Sequence, residues 1–169
     1  MRVRSMTVSD GDRVVEIYGQ AIKSGHATFQ ENPGTWKDWD QGHLKECRLV
    51  ACDDNDIVIG WAGLSGVSNR CVYRGIAEIS VYVDPNHHGK GIGKALLSAL
   101  IAASEENGIW SLEAGIFPEN EASLVLHKAL GFEIVGRKRG LGRMGYGPLA
   151  GRWRDVMLLQ RRSQVVGVD

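Results

Sequence analysis

The feature that most constrains the fold is a strand, a glycine-rich turn and a helix that follow one another without a break. Ile76–Val83 alternates as a strand does, and Asp84-Pro85 stops it. Residues 86–97 then read NHHGKGIGKALL, and the apolar, alanine-rich run predicts a helix over Ala95–Glu106, which Gly108 ends. A strand that leads into a helix in this way predicts a sheet with helices packed on it.

The rest of the chain supplies further elements. Apolar residues at helical spacing predict a helix from Asp10 or Asp12 to about Ser24, and two more over Thr35–Glu46 and Asn120–Leu130. Alternating or short apolar runs predict strands at Arg2–Met6, Cys47–Cys52, Ile57–Leu64, Trp110–Phe117, Phe132–Gly136 and Trp153–Leu159. The expected fold is α/β, a mixed sheet of about seven strands with about four helices on both faces.

Size and charge narrow the possible classes of protein. The 169 residues suit one domain, expected over 1–161, with a frayed tail at 162–169. Lys plus Arg and Asp plus Glu both number 20, so no basic excess favours a nucleic-acid or membrane partner. Neither a long apolar run nor a secretory signal is present, which predicts a cytoplasmic protein.

The cysteines and histidines do not form a metal-site pattern. Cys47, Cys52 and Cys71 are an odd number without a CxxC pair, and His43 shares a helical spacing with Cys47 only. We therefore expect no metal, and free thiols in a reducing compartment.

The glycine-rich turn has the composition of a phosphate site. A turn that opens a helix directs free backbone N–H groups and the positive end of the helix dipole at one point. Gly89, Gly91 and Gly93 would let an anion approach closely, and Lys90 and Lys94 would add charge. The spacing is neither that of a Walker A loop nor GxGxxG. The alternative is a flexible connection that needs positive φ angles.

His88–Gly93 resembles the acyl-CoA loop of the GNAT superfamily of N-acetyltransferases, Q/R-x-x-G-x-G/A, with His88 in the Gln/Arg place. AEISVYVDPNHHGKGIGKALL and FPENEASLVLHKALGFEIVG are similar to the two signatures of that superfamily, and the order of elements agrees over residues 2–161. ATFQENP, YRGIAEISVYV, LHKALGF and GRWRDV most resemble phosphinothricin acetyltransferases and related acetyltransferases of amino-acid analogues, such as methionine sulfoximine.

The resemblance implies acetyl-CoA as the cosubstrate and a GNAT-like acyl-CoA N-acyltransferase fold. The pantetheine arm would pair with the backbone of the central strand, and the glycine turn would hold the diphosphate. Asn120 would bond the same arm, although a helix cap alone also explains it. The implied cofactor-binding residues are Val81, Tyr82, Val83, His88, Gly89, Lys90, Gly91, Ile92, Gly93, Lys94 and Asn120.

Two residues are the predicted catalytic groups. Glu78 alternates with Ile76, Ser80 and Tyr82 on one strand face and, as in the family, would accept the proton of the amine, directly or through water. His127 lies seven residues after Asn120 and shares its helix face. It stands where many superfamily members have a tyrosine that protonates the leaving thiolate. The alternatives are a solvent-facing glutamate and a histidine on a helix flank.

The acceptor should carry an anionic group, which an arginine would bind bidentately. Arg74, placed on the strand face of Glu78, is the candidate, and Tyr73, Thr28 and Phe29 would shape the pocket. The basic, glycine-rich segment 136–154 either closes the site, in some relatives that of a neighbouring subunit, or forms a solvated loop. A homodimer is implied by the resemblance alone.

The expected activity is acetyl transfer from acetyl-CoA to the α-amine of a small amino acid or analogue, by direct attack in a ternary complex. Acceptors such as peptide N-termini or polyamines remain open. A non-catalytic sensor that binds acyl-CoA also remains open, although it could dispense with Glu78 and His127.

Overall fold

The computed structural model describes residues 1–169 as one seven-stranded sheet with four α-helices, which confirms the predicted mixed architecture. The strands are β1 Arg2–Ser5, β2 Leu49–Cys52, β3 Val58–Gly66, β4 Ile76–Val83, β5 Ser111–Ile116, β6 Glu133–Arg143 and β7 Trp153–Arg162. The helices are α1 Gly11–Lys23, α2 Trp36–Gly42, α3 Ile92–Glu106 and α4 Glu121–Ala129. No helix has the length and apolarity that a bilayer crossing requires.

The strand order is β1-β2-β3-β4-β5-β7-β6, and every neighbouring pair is antiparallel except β4 and β5. The parallel pair is joined by α3, as a parallel connection requires. Pairing between β4 and β5 covers only residues 76–78 and 111–113, whereas β4 continues to Val83 and β5 to Ile116. The two central strands therefore separate at their carboxyl ends.

Hydrophobic side chains fill both faces of the sheet. On one face α1 and α2 bury Val14, Ile17 and Trp39 against Trp61 of β3. On the other, α3 buries apolar residues at helical spacing, namely Ile92, Leu96, Leu97, Leu100 and Ile101. Each buried leucine stabilises the fold by about 1.5–3 kcal/mol, so the two layers hold the central strands rigidly.

One predicted helix end and one predicted helix cap differ from the structure. The sequence predicts a helix over Thr35–Glu46, but α2 ends at Gly42, where His43 becomes extended and the Leu44 N–H donates to the Leu64 carbonyl at 2.7 Å. Asp10 stands at the start of α1 without capping it, since its carboxylate bonds Arg4 and Thr7 instead. Tertiary partners outcompete the local helical signal at both places.

The C-terminal third is more ordered than the sequence predicts. Segment 136–154 is not one loop, because β6 continues through bulges near Gly136 and Gly142 to Arg143, and β7 begins at Trp153. The tail expected to fray from residue 162 folds back instead. The Ser163 N–H donates to the Trp110 carbonyl at 2.8 Å, and Arg162 bonds the carbonyls of Val166 and Gly167.

Candidate active site

The glycine turn leads into α3 with its first amides free. Gly91 is the N-cap at φ 77° and Gly89 has φ 75°, and a Cβ on either would meet no atom within 4 Å. Glycine is required here by the left-handed backbone and not by lack of space. No side chain caps α3, and its first N–H groups have no intrahelical acceptor. With Lys90 and Lys94 exposed beside it, the turn forms a seat for an anion.

A buried carboxylate fixes the entrance to this turn. Asp84 follows β4 directly, and its side chain accepts hydrogen bonds from the Asn86 N–H at 2.8 Å and from Arg13 of α1. The Arg13 guanidinium also donates to the Val58 carbonyl at 3.0 Å. The turn is therefore tied to both α1 and β3. His88 turns back toward β4, where its Nε2 lies 3.1 Å from the Val83 carbonyl oxygen.

The residues predicted to line the coenzyme arm lie where β4 and β5 separate. Val81 and Val83 direct their side chains into the core on the α3 face. Tyr82 lies on the opposite face, with its ring centroid 5.0 Å from those of Tyr18 and Trp61. Because β5 has already diverged, the β4 backbone here has no strand partner on that side.

Glu78 is the last residue of β4 that pairs with β5. Its register partner in β5 is Glu113, and the register across β7 places Lys138 of β6 on the same face. Part of Glu78 reaches solvent. Burial by the surrounding protein nevertheless raises the pKa of Glu78, the charge of Glu113 raises it further, and Lys138 partly opposes both. Glu78 is thus a carboxylate with increased affinity for a proton.

His127 is buried in α4, and its geometry defines the tautomer. Its Nδ1 lies 2.7 Å from the Ser123 carbonyl oxygen, so Nδ1 carries the proton and Nε2 keeps its lone pair. Burial lowers the pKa of His127, and the bond to Ser123 only partly offsets this. Asn120 caps the same helix, since its Oδ1 accepts the Ser123 N–H at 3.2 Å. The predicted cap is present, and the side-chain Nδ2 of Asn120 makes no hydrogen bond within the protein.

Glu78 and His127 lie on different faces of the sheet. His127 packs against Phe132, a residue of the core on the α3 face, whereas Glu78 shares the face of Tyr82. The helix α4 lies beside the glycine turn, because a Cβ on Gly93 would stand 3.4 Å from Leu126 Cδ2. No hydrogen bond joins the two catalytic candidates.

Thr28 and Phe29 lie on the Glu78 face, in the loop that follows α1. The Phe29 ring packs edge-on against Phe117 at 5.0 Å, and the Tyr146 hydroxyl donates to the Thr28 carbonyl at 2.7 Å. A Cβ on Gly142 would come within 2.9 Å of the Phe29 ring, so this glycine lets the loop lie close to β6. These contacts form a wall on the face of the sheet that carries Glu78 and Glu113.

The placement predicted for Arg74 is wrong in one respect. β4 begins only at Ile76, and Arg74 ends a short 3-10 turn over Cys71–Tyr73, so it does not share a strand face with Glu78. Its guanidinium lies 6.0 Å from the centroid of the Trp110 ring, and Arg70 lies 5.5 Å from that of Tyr73. Arg74 and Tyr73 are both exposed and unpaired with any carboxylate.

Sequence reasoning missed several residues of this site. Glu113 alternates in its strand as Glu78 does, but only the register shows that the two face each other. Ser123, which joins Asn120 to His127, and Tyr146, which holds Thr28, carried no signal of their own.

Comparison with known proteins gives a consistent result. The sequence model described as the acetyltransferase (GNAT) family matches residues 13–132. An L-methionine sulfoximine/L-methionine sulfone acetyltransferase from Pseudomonas paraeruginosa is 32% identical over 163 residues, which is 94% of this chain and 92% of that protein.

Two solved structures are similarly close. A phosphinothricin acetyltransferase of the GNAT superfamily from Sinorhizobium meliloti, in complex with AcCoA, has a TM-score of 0.85 and 33% identity, covering 98% of this chain and 90% of its own. A ribosomal-protein-alanine N-acetyltransferase from Brucella melitensis has a TM-score of 0.85 and 30% identity, covering 96% and 100%.

Proposed function

The chain belongs to the acetyltransferase (GNAT) family and is an acetyl-CoA-dependent N-acetyltransferase, and we propose that its acceptor is the α-amine of a small amino acid or amino-acid analogue. The opening between β4 and β5, which leads to the uncapped start of α3, is the observation that supports this activity most directly. The extended pantetheine arm of acetyl-CoA would occupy the opening between the strands, and its diphosphate would bind at the start of α3.

The described residues fit acetyl-CoA. The unpaired edge of β4 at Val81–Val83 offers main-chain groups to the pantetheine arm, as an added strand does. The free amides after Gly91, with Lys90 and Lys94, suit the diphosphate, and the free amide group of Asn120 suits the arm. When bound, acetyl-CoA supplies an acetyl thioester as the electrophile.

Glu78 is proposed to take the proton of the acceptor amine. An α-amine has a pKa of about 8, so it is mostly protonated at neutral pH and must lose a proton before it attacks. Because the pKa of Glu78 is raised, it lies nearer to the pKa of the amine, and this favours proton transfer from the amine to Glu78. Attack is direct, since no cysteine lies beside these groups to carry the acetyl group.

His127 is proposed to act at the thiolate side. At rest its Nε2 is an acceptor, because Nδ1–H is bonded to Ser123. It therefore binds the proton that the reaction releases, or a water that carries it, and returns a proton to the departing sulfur. Its lowered pKa keeps the imidazole neutral between turnovers.

The proposed recognition of the acceptor uses the wall described above. Arg74 has an exposed guanidinium with no carboxylate partner, which suits the carboxylate or phosphinate of an amino-acid analogue. Tyr73 adjoins Arg74 before β4, whereas Phe29 packs on Phe117 after the other end of β5, so Thr28 and Phe29 would contact a different part of the acceptor. A polyamine has no such anionic group.

An acceptor panel tests this proposal. Thiol release from acetyl-CoA is measured with L-methionine sulfoximine, L-methionine sulfone, phosphinothricin, the common amino acids, an alanyl peptide and spermidine. We expect kcat/KM to be highest for an amino acid or analogue. A higher kcat/KM for the peptide or spermidine than for every amino acid would show that the acceptor is of that class instead. If no amine caused thiol release, the protein would be a non-catalytic sensor that binds acyl-CoA.

We also propose that the protein is a cytoplasmic homodimer. The three cysteines are free thiols, which suits a reducing compartment. At one edge of the sheet, β6 has a free side, and the hairpin that it forms with β7 exposes Val135, Leu141 and Trp153. An exposed apolar patch on a strand edge is typical of an interface.

A further inference from the structure

Arg154 of β7 is buried, and its guanidinium contacts three separate segments. Nη1 donates to the Gly25 carbonyl at 2.8 Å and lies 3.7 Å from Met144 Sδ. Nη2 lies 3.4 Å from His26 Nδ1 and 3.3 Å from Glu119 Oε2. The group also stacks on Phe117, with Cζ 3.5 Å from the ring centroid.

These segments belong to the two proposed binding sites. Gly25 and His26 lead into Thr28 and Phe29 of the acceptor wall. Phe117 and Glu119 lead into Asn120 at the start of α4. The Phe29 ring itself packs on Phe117, so one guanidinium lies behind both walls.

For stability alone this arrangement is poor. The Arg154 Nε–H is buried without a hydrogen-bond partner, and its single carboxylate contact, at 3.3 Å, is with Glu119, whose side chain is 53% exposed. A buried charge that is so incompletely paired usually contributes less to folding than an apolar side chain of the same size. Its presence here suggests a role in the site.

We propose that Arg154 is a positioning residue that holds the loop carrying Thr28 and Phe29 against the connection carrying Asn120. The inference rests on the proposed function, because it assigns these segments to the acceptor and coenzyme sites. Arg154 makes no contact with the glycine turn, so the diphosphate seat does not depend on it. Loss of Arg154 should therefore impair the acceptor site much more than the binding of acetyl-CoA.

Three measurements on Arg154→Met test this. With L-methionine sulfoximine as acceptor, we expect KM to rise by about tenfold or more, because small displacements of a site wall have large effects. Calorimetry should find the Kd of acetyl-CoA within about threefold of wild type. Amide hydrogen exchange over residues 24–30 should become faster, and this readout needs no turnover.

Arg152→Met is the matched control, since Arg152 is an exposed arginine immediately before β7. It should change none of the three quantities. Arg154→Lys keeps the charge and one donor, so it should restore part of the acceptor affinity and of the exchange protection.

Three results would overturn the inference. The first is that Arg154→Met leaves both KM and hydrogen exchange unchanged, and the second is that it weakens the binding of acceptor and acetyl-CoA equally. The third is that neither Arg154→Met nor Arg154→Lys folds. The last two would give Arg154 a structural role only. If wild type acetylated no amine, the proposed function would fail, while hydrogen exchange would still decide whether Arg154 holds residues 24–30.

Discussion

Burial is the main cause of the raised pKa of Glu78, and two charged neighbours in the sheet modify it. The parallel register puts Glu113 beside Glu78, and Lys138 reaches the same face from β6. Glu113 raises the pKa of Glu78 and Lys138 lowers it, so substitutions at the two positions should shift this pKa in opposite directions. A carboxylate that must be ionised to accept a proton sets the acidic limb of the rate profile at its own pKa.

Glu113→Gln and Lys138→Gln should therefore shift the acidic limb of kcat/KM in opposite directions. Removing the negative charge of Glu113 lowers the pKa of Glu78, so the limb moves to lower pH. Removing the positive charge of Lys138 raises that pKa, and the limb moves to higher pH. Each shift should be larger at low ionic strength than at high, because salt screens both neighbouring charges.

Glu133→Gln is the control for this pair, because Glu133 faces the same side of the sheet but does not affect the pKa of Glu78. Its profile should match wild type. Shifts of the same sign in Glu113→Gln and Lys138→Gln would remove Glu78 as the base.

At the scale of the element, α3 provides its own test, since a left-handed glycine stands just outside each end. Gly91 precedes the helix at φ 77° and Gly108 follows it at φ 73°, and a Cβ on either would meet no neighbour within 4 Å. The two positions thus share conformation and free space. They differ only in that the helix dipole is positive near Gly91.

Gly91→Ala and Gly108→Ala should each lower the free energy of unfolding by about 1–2 kcal/mol, because alanine is strained at positive φ. Only Gly91→Ala should weaken the binding of acetyl-CoA, with the Kd measured by calorimetry raised about tenfold. Equal Kd values in the two variants would show that the first amides of α3 do not hold the coenzyme.

At the scale of the whole molecule, the sequence predicted what depends on local pattern. The strand Ile76–Val83, the glycine turn and the position of Asn120 as a cap followed from alternation and turn chemistry. Strand register and the path of loops depend on distant contacts. For that reason the partnership of Glu78 with Glu113 and the short α2 were not accessible from sequence, whereas the predicted start of the strand at Ile76 already placed Arg74 outside it.

The proposed dimer is a property of the whole molecule as well. Sedimentation should give twice the chain mass of 18.5 kDa. Trp153→Ser, which removes a 68% exposed indole, should shift the mass toward that of one chain. Val8→Ser, at a 79% exposed residue near the opposite edge of the sheet, should leave it unchanged. A single-chain mass for the wild type would refute the dimer.

The separation of β4 and β5 has a thermodynamic consequence. The free chain folds with main-chain donors and acceptors at the centre of its sheet that only water can satisfy. A bound pantetheine arm would complete this gap, so each catalytic cycle would close and reopen the middle of the fold. The melting temperature would then rise with the concentration of acetyl-CoA, and the enzyme without bound acetyl-CoA would be the form most easily cleaved by proteases.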